Sequence, residues 1–210
     1  MKKIINMAHT HYEPSGPNQW PHILRVLSQA TEISDRLSLR LTSVDVAALC
    51  FHDVAKSRMR DFPWTKDHGV ASAALAEDIL KGVFDSNDIE LICSAIAEHD
   101  RDVVPSSSVS DLLISADANK PEILWIVRKS FHRSSAVLGL SGAERIENVF
   151  NRIKNHAVCS GRLNVPSLYA RAFKNEISLI ERAVPAIEID DIENLVKEAN
   201  RLYVLDDVEG

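Results

Sequence analysis

Several histidine and aspartate side chains fall where predicted helices face their own core. His52 and Asp53 directly follow a run of apolar residues, and both His99 and Asp117 continue the apolar stripe of a later helical segment. Burying an imidazole or a carboxylate costs free energy unless another group compensates it. Taken singly, such a histidine is more often a hydrogen-bonded core residue. Taken together, these side chains favour a shared metal ion, because imidazole and carboxylate suit Mn, Fe, Co, Ni or Zn.

The elements that would position these side chains are predicted to be helices. Gly and Pro are scarce, with 7 and 8 copies in 210 residues, and no stretch shows the alternation of a strand. Residues 1–19 look irregular, and Pro21 suits the first turn of a helix. Further helices are predicted over 43–56, 67–82, 87–99, 108–119, 121–134, 142–158, 166–182 and 188–204. The expected fold class is all-α, with a single domain over 1–210 that has a metal-binding core at about 20–120 and a C-terminal helical extension at about 121–210.

Six histidines and aspartates occur in order within five short motifs. The motifs are PHILRV, FHDVAK, DHGVASAALAEDIL, AIAEHD and LISADANK, and the residues are His22, His52, Asp53, His68, His99 and Asp117. This ordered set resembles the HD superfamily of metal-dependent phosphohydrolases, whose signature is H…HD…D on a helical bundle. The resemblance extends from the first motif to Lys120 and covers roughly half of the chain. It implies an HD-domain-like helical bundle with additional C-terminal helices.

The resemblance also implies that the six residues hold two divalent metal ions. The four residues of the signature, His22, His52, Asp53 and Asp117, would bind one ion. The two further histidines, His68 and His99, occur in those branches of the superfamily that have a second ion. Asp53 would bridge the two ions. The motif does not fix the identity of the metal, which stays open among Mn, Fe, Co, Ni, Zn and Mg.

Two basic residues share helix faces with members of this set. Lys56 follows His52 by four residues, and Arg25 follows His22 by three. The HD-x-x-K motif of related families implies that Lys56 contacts a substrate phosphate, and Arg25 is a candidate for the same task. The expected function is hydrolysis, by metal-activated water, of a small phosphorylated metabolite, with a nucleotide as the leading candidate. Asp53 and Lys56 are the expected catalytic residues.

Two other functions fit the same motifs. Some members of the superfamily with the extra histidine pair hold two irons and use dioxygen, and Tyr12 could then reach the site as a gating ligand. The other alternative is a non-catalytic HD module that binds a nucleotide, although the complete ligand set argues against it. Asp100 could orient a metal-binding histidine without touching the ion, or it could simply face solvent. The segment around Trp64 could form a lid over a base, but a packed loop is the simpler interpretation.

Composition and charge limit the compartment and the partners. The net charge of −6 argues against general nucleic-acid binding, which needs a basic surface. No stretch is apolar enough to span a membrane or resembles a signal peptide, so a cytoplasmic protein is expected. Cys50, Cys93 and Cys159 contain no CxxC pair, and the first two are expected to be buried reduced thiols. A homo-oligomer is compatible with the sequence.

The stretch from Pro121 to Arg162 is basic in an otherwise acidic chain. Seven basic residues against three acidic ones leave a local excess of +4. Solvated helix faces are the simpler explanation. The alternative is that some of these cations line the mouth of an anion-binding cleft.

Overall fold

The computed structural model describes residues 1–12, 20–58, 68–118, 120–136, 138–156 and 166–202. Within these ranges the structure is helical and contains no strand, so the predicted all-α fold class is confirmed. The α-helices are α1 Lys2–His9, α2 Trp20–Leu37, α3 Ser43–Phe51, α4 Val54–Arg58, α5 His68–Leu80, α6 Ser86–Glu98, α7 Ser108–Asp117, α8 Ile123–Ala136, α9 Gly142–His156, α10 Ser167–Ala172, α11 Lys174–Ala183 and α12 Ile192–Leu202. Two short 3-10 helices, Val184–Ala186 and Ile189–Asp191, precede α12. Trp64 and Cys159 lie outside the described residues.

None of these helices could cross a membrane, because within the described ranges each is too short or too polar to do so.

Helix α1 corrects the expectation of irregular structure over residues 1–19. Ile4 and Ala8, one turn apart, are both buried, and α1 packs against α3. A helix this short is marginal on its own, so its packed face stabilises it. The turn-rich stretch that follows it dominates the local sequence pattern and hides this signal.

Helix α3 is at the centre of the first of two compact units, which contains α1 to α7 and α10. All residues from Val46 to Phe51 are buried, and α3 packs against α1, α2, α5, α6 and α7. A helix that is apolar on every face suits such an interior position. The chain leaves the helix at His52 and starts α4 at Val54. The helix predicted over 43–56 is therefore interrupted at its two polar core residues.

A capping box fixes the start of α3. The hydroxyl of Thr42 accepts a hydrogen bond from the N–H of Asp45 (3.2 Å), whose carboxylate accepts one from the N–H of Thr42 (2.8 Å). We expect Thr42→Ala to lower the free energy of unfolding by about 1 kcal/mol, because a first-turn N–H loses its acceptor. Thr31→Ala, at an exposed site inside α2, should change it by less than about 0.5 kcal/mol. Equal losses in the two variants on urea denaturation would contradict the role of the cap.

Helix α10 comes from the second half of the chain but belongs to the first unit. Asp111 in α7 accepts hydrogen bonds from the hydroxyl of Ser167 and from the N–H of Leu168, the latter at 3.2 Å. Tyr169 is fully buried, and its N–H donates to the hydroxyl of Ser115 (3.1 Å). These contacts fasten α10 to α7. The helix predicted over 166–182 is accordingly two helices that meet at residue 173.

The second compact unit contains α8, α9, α11, α12 and the two 3-10 helices. Its buried core consists of Ile126, Val127, Val149, Ile153, Ile180, Val184, Ile192, Val196 and Ala199. Part of the basic stretch is packed within this unit. The guanidinium carbon of Arg145 lies 3.3 Å from the ring centroid of Phe131, and Nε of Arg152 donates to the hydroxyl of Ser130 (3.3 Å). The single domain over 1–210 and the anion-binding cleft remain predictions.

Candidate metal centre

Six helices of the first unit bring their ends to one group of histidine and aspartate side chains. In chain order, His22 lies in the first turn of α2, His52 and Asp53 separate α3 from α4, His68 begins α5, His99 caps the end of α6 and Asp117 ends α7. Three overlapping triplets among them have ligand atoms within 4.8 Å of one another. The structure therefore brings together all six residues that the sequence predicted as metal ligands.

Four of these residues form one half of the centre, which we call position A. It consists of Nε2 of His22, Nε2 of His52, Oδ2 of Asp53 and Oδ1 of Asp117. Nε2 of His22 lies 3.1 Å from Nε2 of His52, 3.5 Å from the Asp53 oxygen and 3.3 Å from the Asp117 oxygen. Nitrogen and oxygen atoms so arranged could hold one metal ion after small adjustments.

The other half of the centre, position B, consists of Nε2 of His68, Nε2 of His99 and Oδ1 of Asp53. The two nitrogens are 3.0 Å apart. Oδ1 of Asp53 lies 3.4 Å from Nε2 of His68 and 3.3 Å from Nε2 of His99. Asp53 thus turns one carboxylate oxygen toward each position, and the imidazoles of His52 and His99 lie next to each other with ring centroids 4.9 Å apart.

The residues of the centre differ in how deeply they are buried. His52, Asp53 and His99 have at most 1% of their surface exposed. The side chains of His68 and Asp117 are 19% and 21% exposed. His68 and Asp117 are therefore more exposed than the shared carboxylate, which is buried.

Main-chain carbonyls and one carboxylate orient the imidazoles. Nδ1 of His52 donates to the carbonyl of Leu49 (2.9 Å), and Nδ1 of His99 donates to the carbonyl of Ile96 (2.6 Å). Because a carbonyl can only accept, each ring carries its proton on Nδ1 and turns a lone pair on Nε2 inward. Such outer hydrogen bonds are a common device for fixing metal-binding histidines.

Asp100 plays the same part for His68. Its Oδ2 lies 3.0 Å from Nδ1 of His68 and also accepts the N–H of Gly69 (3.2 Å). Gly69 itself is required by a close approach, since a Cβ at this residue would lie 2.8 Å from the carbonyl oxygen of Ile96 and 2.9 Å from Oδ1 of Asp100. The sequence signal of Gly69 is slight, because a glycine directly after His68 at the start of a helix does not by itself predict a role.

The residues at position B fit a metal ion. Oδ1 of Asp53 is buried and accepts no hydrogen bond from the described residues. It faces Nε2 of His99, which carries a lone pair because Ile96 holds the proton of that ring on Nδ1, and Nε2 of His68, whose ring is oriented by Asp100. These atoms converge in a buried space and need positive charge between them, which a protonated His68 supplies without a metal and a metal ion would supply when bound.

Electrostatics keep the ligands of position A in the forms that bind metals. Burial lowers the pKa of both His22 and His52, so both rings are neutral near pH 7. Burial by itself would raise the pKa of Asp53, but Lys56 and His52 outweigh this effect and hold it well below its usual value. The pKa of Asp117 is likewise low, because the nearby histidines outweigh the effect of burial.

His68 behaves differently. Burial would lower the pKa of this imidazole, but its contacts with Asp100 and Asp53 outweigh burial and raise the pKa to about 9. Without a metal, His68 is therefore protonated near pH 7, and its charge balances the two carboxylates. An ion at position B would take over this charge balance.

The two basic residues singled out in the sequence both reach the centre. Nζ of Lys56 lies 2.9 Å from Oδ2 of Asp53, with 21% of its side chain exposed. Nη2 of Arg25 lies 3.0 Å from Nδ1 of His22 and 3.4 Å from Oδ1 of Asp117. Both cations thus contact ligands of position A.

Tyr12 and the cysteines take no part in these contacts. The hydroxyl of Tyr12 is buried and donates to the carbonyl of Cys50 (2.7 Å), so the phenol that an iron-ligand role would need is already engaged by the main chain. Cys50 is a buried free thiol, and burial raises its pKa to about 12. Cys93 is also free and is partly buried.

Comparison with known proteins identifies the family. The model of the HD domain matches residues 20–204, so this chain belongs to the HD domain family. The matched region includes all six residues that the sequence predicts as metal ligands. Together, the family and the His/Asp cluster support a metal-dependent hydrolase.

Among solved structures, the chain is similar to the crystal structure of a "predicted HD superfamily hydrolase" from an uncultured Thermotogales bacterium. The identity is 19%, the match covers 89% of this chain and 92% of that one, and the TM-score is 0.48. No curated protein matches the chain.

Proposed function

We propose that this protein is a metal-dependent phosphohydrolase that acts on a small phosphorylated metabolite, with a nucleotide as its substrate class. The proposal includes two divalent ions, one at each position, with Asp53 as the bridging ligand. The observation that carries it is the buried carboxylate of Asp53, which directs one oxygen toward each group of imidazoles.

The chemistry follows from what each group supplies. Divalent ions bound here would polarise a phosphoryl oxygen and lower the pKa of an attacking water. Asp53 would fix the spacing of the two positions, and its low pKa keeps it ionised near pH 7. The carbonyls of Leu49 and Ile96 hold two imidazoles in the orientation that binds metals, so the centre is largely organised before substrate arrives.

Lys56 and Arg25 supply the positive charge that a phosphate needs. Both are next to position A, and Lys56 has the more exposed side chain. Its ammonium group can therefore turn from Asp53 to a phosphate oxygen. The preference for a nucleotide is supported by the resemblance of the short His99-to-Asp117 spacing to small bacterial HD hydrolases. A cytoplasmic location is part of the same proposal.

Replacing Lys56 tests its role in binding phosphate. We expect Lys56→Met to lower kcat/KM by about 10- to 100-fold, because one charge-assisted contact to the phosphoryl group is lost. Both metal ions should stay bound, because Lys56 is not one of their proposed ligands. Lys81→Met removes a lysine that forms exposed ion pairs beyond α5 and should leave kcat/KM unchanged. An unaltered kcat/KM in Lys56→Met would rule out the contact.

The function itself is tested by phosphate release. Protein purified without oxygen and reconstituted separately with Mn²⁺, Co²⁺, Ni²⁺ or Zn²⁺ is assayed with nucleoside mono-, di- and triphosphates and with sugar phosphates. We expect release from at least one nucleotide with at least one metal, and none after chelation. Oxygen consumption by the iron-loaded protein would instead indicate the oxygenase. Nucleotide binding without turnover under every metal would indicate a non-catalytic module.

A further inference from the structure

One hydrogen atom at position A decides whether His22 can bind a metal. Nη2 of Arg25 lies 3.0 Å from Nδ1 of His22. A guanidinium can only donate, so Nδ1 accepts and the ring proton of His22 lies on Nε2. That N–H points to Nε2 of His52, 3.1 Å away, which is free to accept because Leu49 holds the other ring proton on Nδ1. A continuous series of hydrogen bonds therefore runs from Arg25 through His22 and His52 to Leu49. It uses Nε2 of His22, the nitrogen that would bind a metal.

The same guanidinium also contacts a second ligand of position A. Its Nη2 lies 3.4 Å from Oδ1 of Asp117. A fixed positive charge so close to two ligands opposes the approach of a divalent cation. Position A can therefore be filled only when Arg25 gives up both contacts and the proton of His22 moves to Nδ1. At position B, by contrast, the oxygen that Asp53 contributes accepts no hydrogen bond from the described residues.

Arg25 needs another anionic acceptor once it leaves His22. Its side chain is only 9% exposed, so the charge cannot simply be returned to water. A phosphate oxygen matches a guanidinium in charge and in geometry, because the planar fork can donate two parallel hydrogen bonds. A substrate bound against position A would bring such an oxygen close to Arg25.

We propose that Arg25 couples the filling of position A to the binding of the substrate phosphate. In the free protein it donates to His22 and weakens metal binding at position A. When a phosphate is bound, Arg25 donates to the phosphate, and His22 and Asp117 become available as ligands. Because such coupling is reciprocal, an ion at position A strengthens phosphate binding by the same factor. This inference rests on the proposed function and adds to it an order of events.

The test measures binding and not turnover. Metal-free protein is titrated with Mn²⁺, and free Mn²⁺ is followed by electron paramagnetic resonance, with and without inorganic phosphate. For the native protein we expect two binding steps, the second of which phosphate strengthens by about tenfold or more. Asp117→Asn should remove the second step and keep the first, which assigns the second step to position A.

Arg25→Met then isolates the role of the guanidinium. We expect its second step to be about tenfold tighter than that of the native protein without phosphate, and the effect of phosphate to fall to less than about threefold. Arg40→Met, which removes an exposed arginine between α2 and α3, should behave as the native protein. Circular dichroism checks that each variant is folded.

The outcomes separate this inference from the proposed function. A second step in Arg25→Met that is unchanged or lost, or a phosphate effect that persists in full, would overturn the coupling while leaving a two-metal hydrolase intact. Failure of the native protein to bind any Mn²⁺, Co²⁺, Ni²⁺ or Zn²⁺ would contradict the proposed function as well.

Discussion

Asp53→Asn should abolish hydrolysis and release both metal ions while leaving the helices in place. Asp53 directs Oδ2 toward position A and Oδ1 toward position B, so one substitution weakens both. The amide has the shape of the carboxylate, but it lacks the negative charge and offers only one oxygen as a ligand. We expect kcat to fall by at least about a thousandfold, which corresponds to about 4 kcal/mol of transition-state stabilisation.

The measurement combines metal content with activity. Mass spectrometry of anaerobically purified protein should give close to two ions per chain for the native protein and fewer than one for the variant. Asp35→Asn makes the same change of charge at an exposed residue of α2 and should keep both ions and full activity. Retention of both ions in Asp53→Asn, with the helical circular dichroism unchanged, would show that Asp53 does not bridge them.

Gly69→Ala should selectively disable position B. The added methyl group would lie 2.8 Å from the carbonyl oxygen of Ile96 and 2.9 Å from Oδ1 of Asp100, so one or both must move. The carbonyl fixes the ring of His99 and the carboxylate fixes that of His68. Loss of such outer contacts typically lowers metal affinity or activity by about 10- to 100-fold, and we expect a loss in this range.

Which of the two metal-binding steps is weakened distinguishes this explanation from a general loss of stability. In a Mn²⁺ titration, Gly69→Ala should weaken the step that survives in Asp117→Asn and leave the other step in place. Val70→Ala alters the next residue of α5, whose side chain is 43% exposed, and should change neither step. An unaltered first step in Gly69→Ala would mean that α5 and α6 adjust to the methyl group without moving the imidazoles.

The site was accessible to sequence reasoning because its members break the pattern of the helices that carry them. His99 and Asp117 occupy core-facing positions where an apolar residue is expected, and His52 directly follows the buried run Val46–Phe51 of α3. A polar residue at such a position needs a physical reason, and several of them in order point to a common one. All six predicted ligands accordingly lie together, whereas their roles as ligands remain part of the proposal.

What the sequence could not provide are contacts between distant residues. Arg25 and Asp117 are 92 positions apart, and neither helical pattern shows that the two side chains touch. Gly69 looks like an ordinary helical glycine until the carbonyl of Ile96 is placed against it. The break between α3 and α4 was missed for another reason, since the apolar pattern continues through Val54 and conceals the turn at residues 52–53.

The attachment of α10 to α7 has a consequence for how the protein is made. All six residues of the centre have been synthesised once Asp117 has left the ribosome, but Tyr169, which is fully buried in the same unit, has not. Domains tend to fold from the N-terminus during synthesis, at about 5–20 residues per second. The nascent first unit must therefore wait, with the face of α7 that receives α10 still open, until the chain has been extended through Ala172.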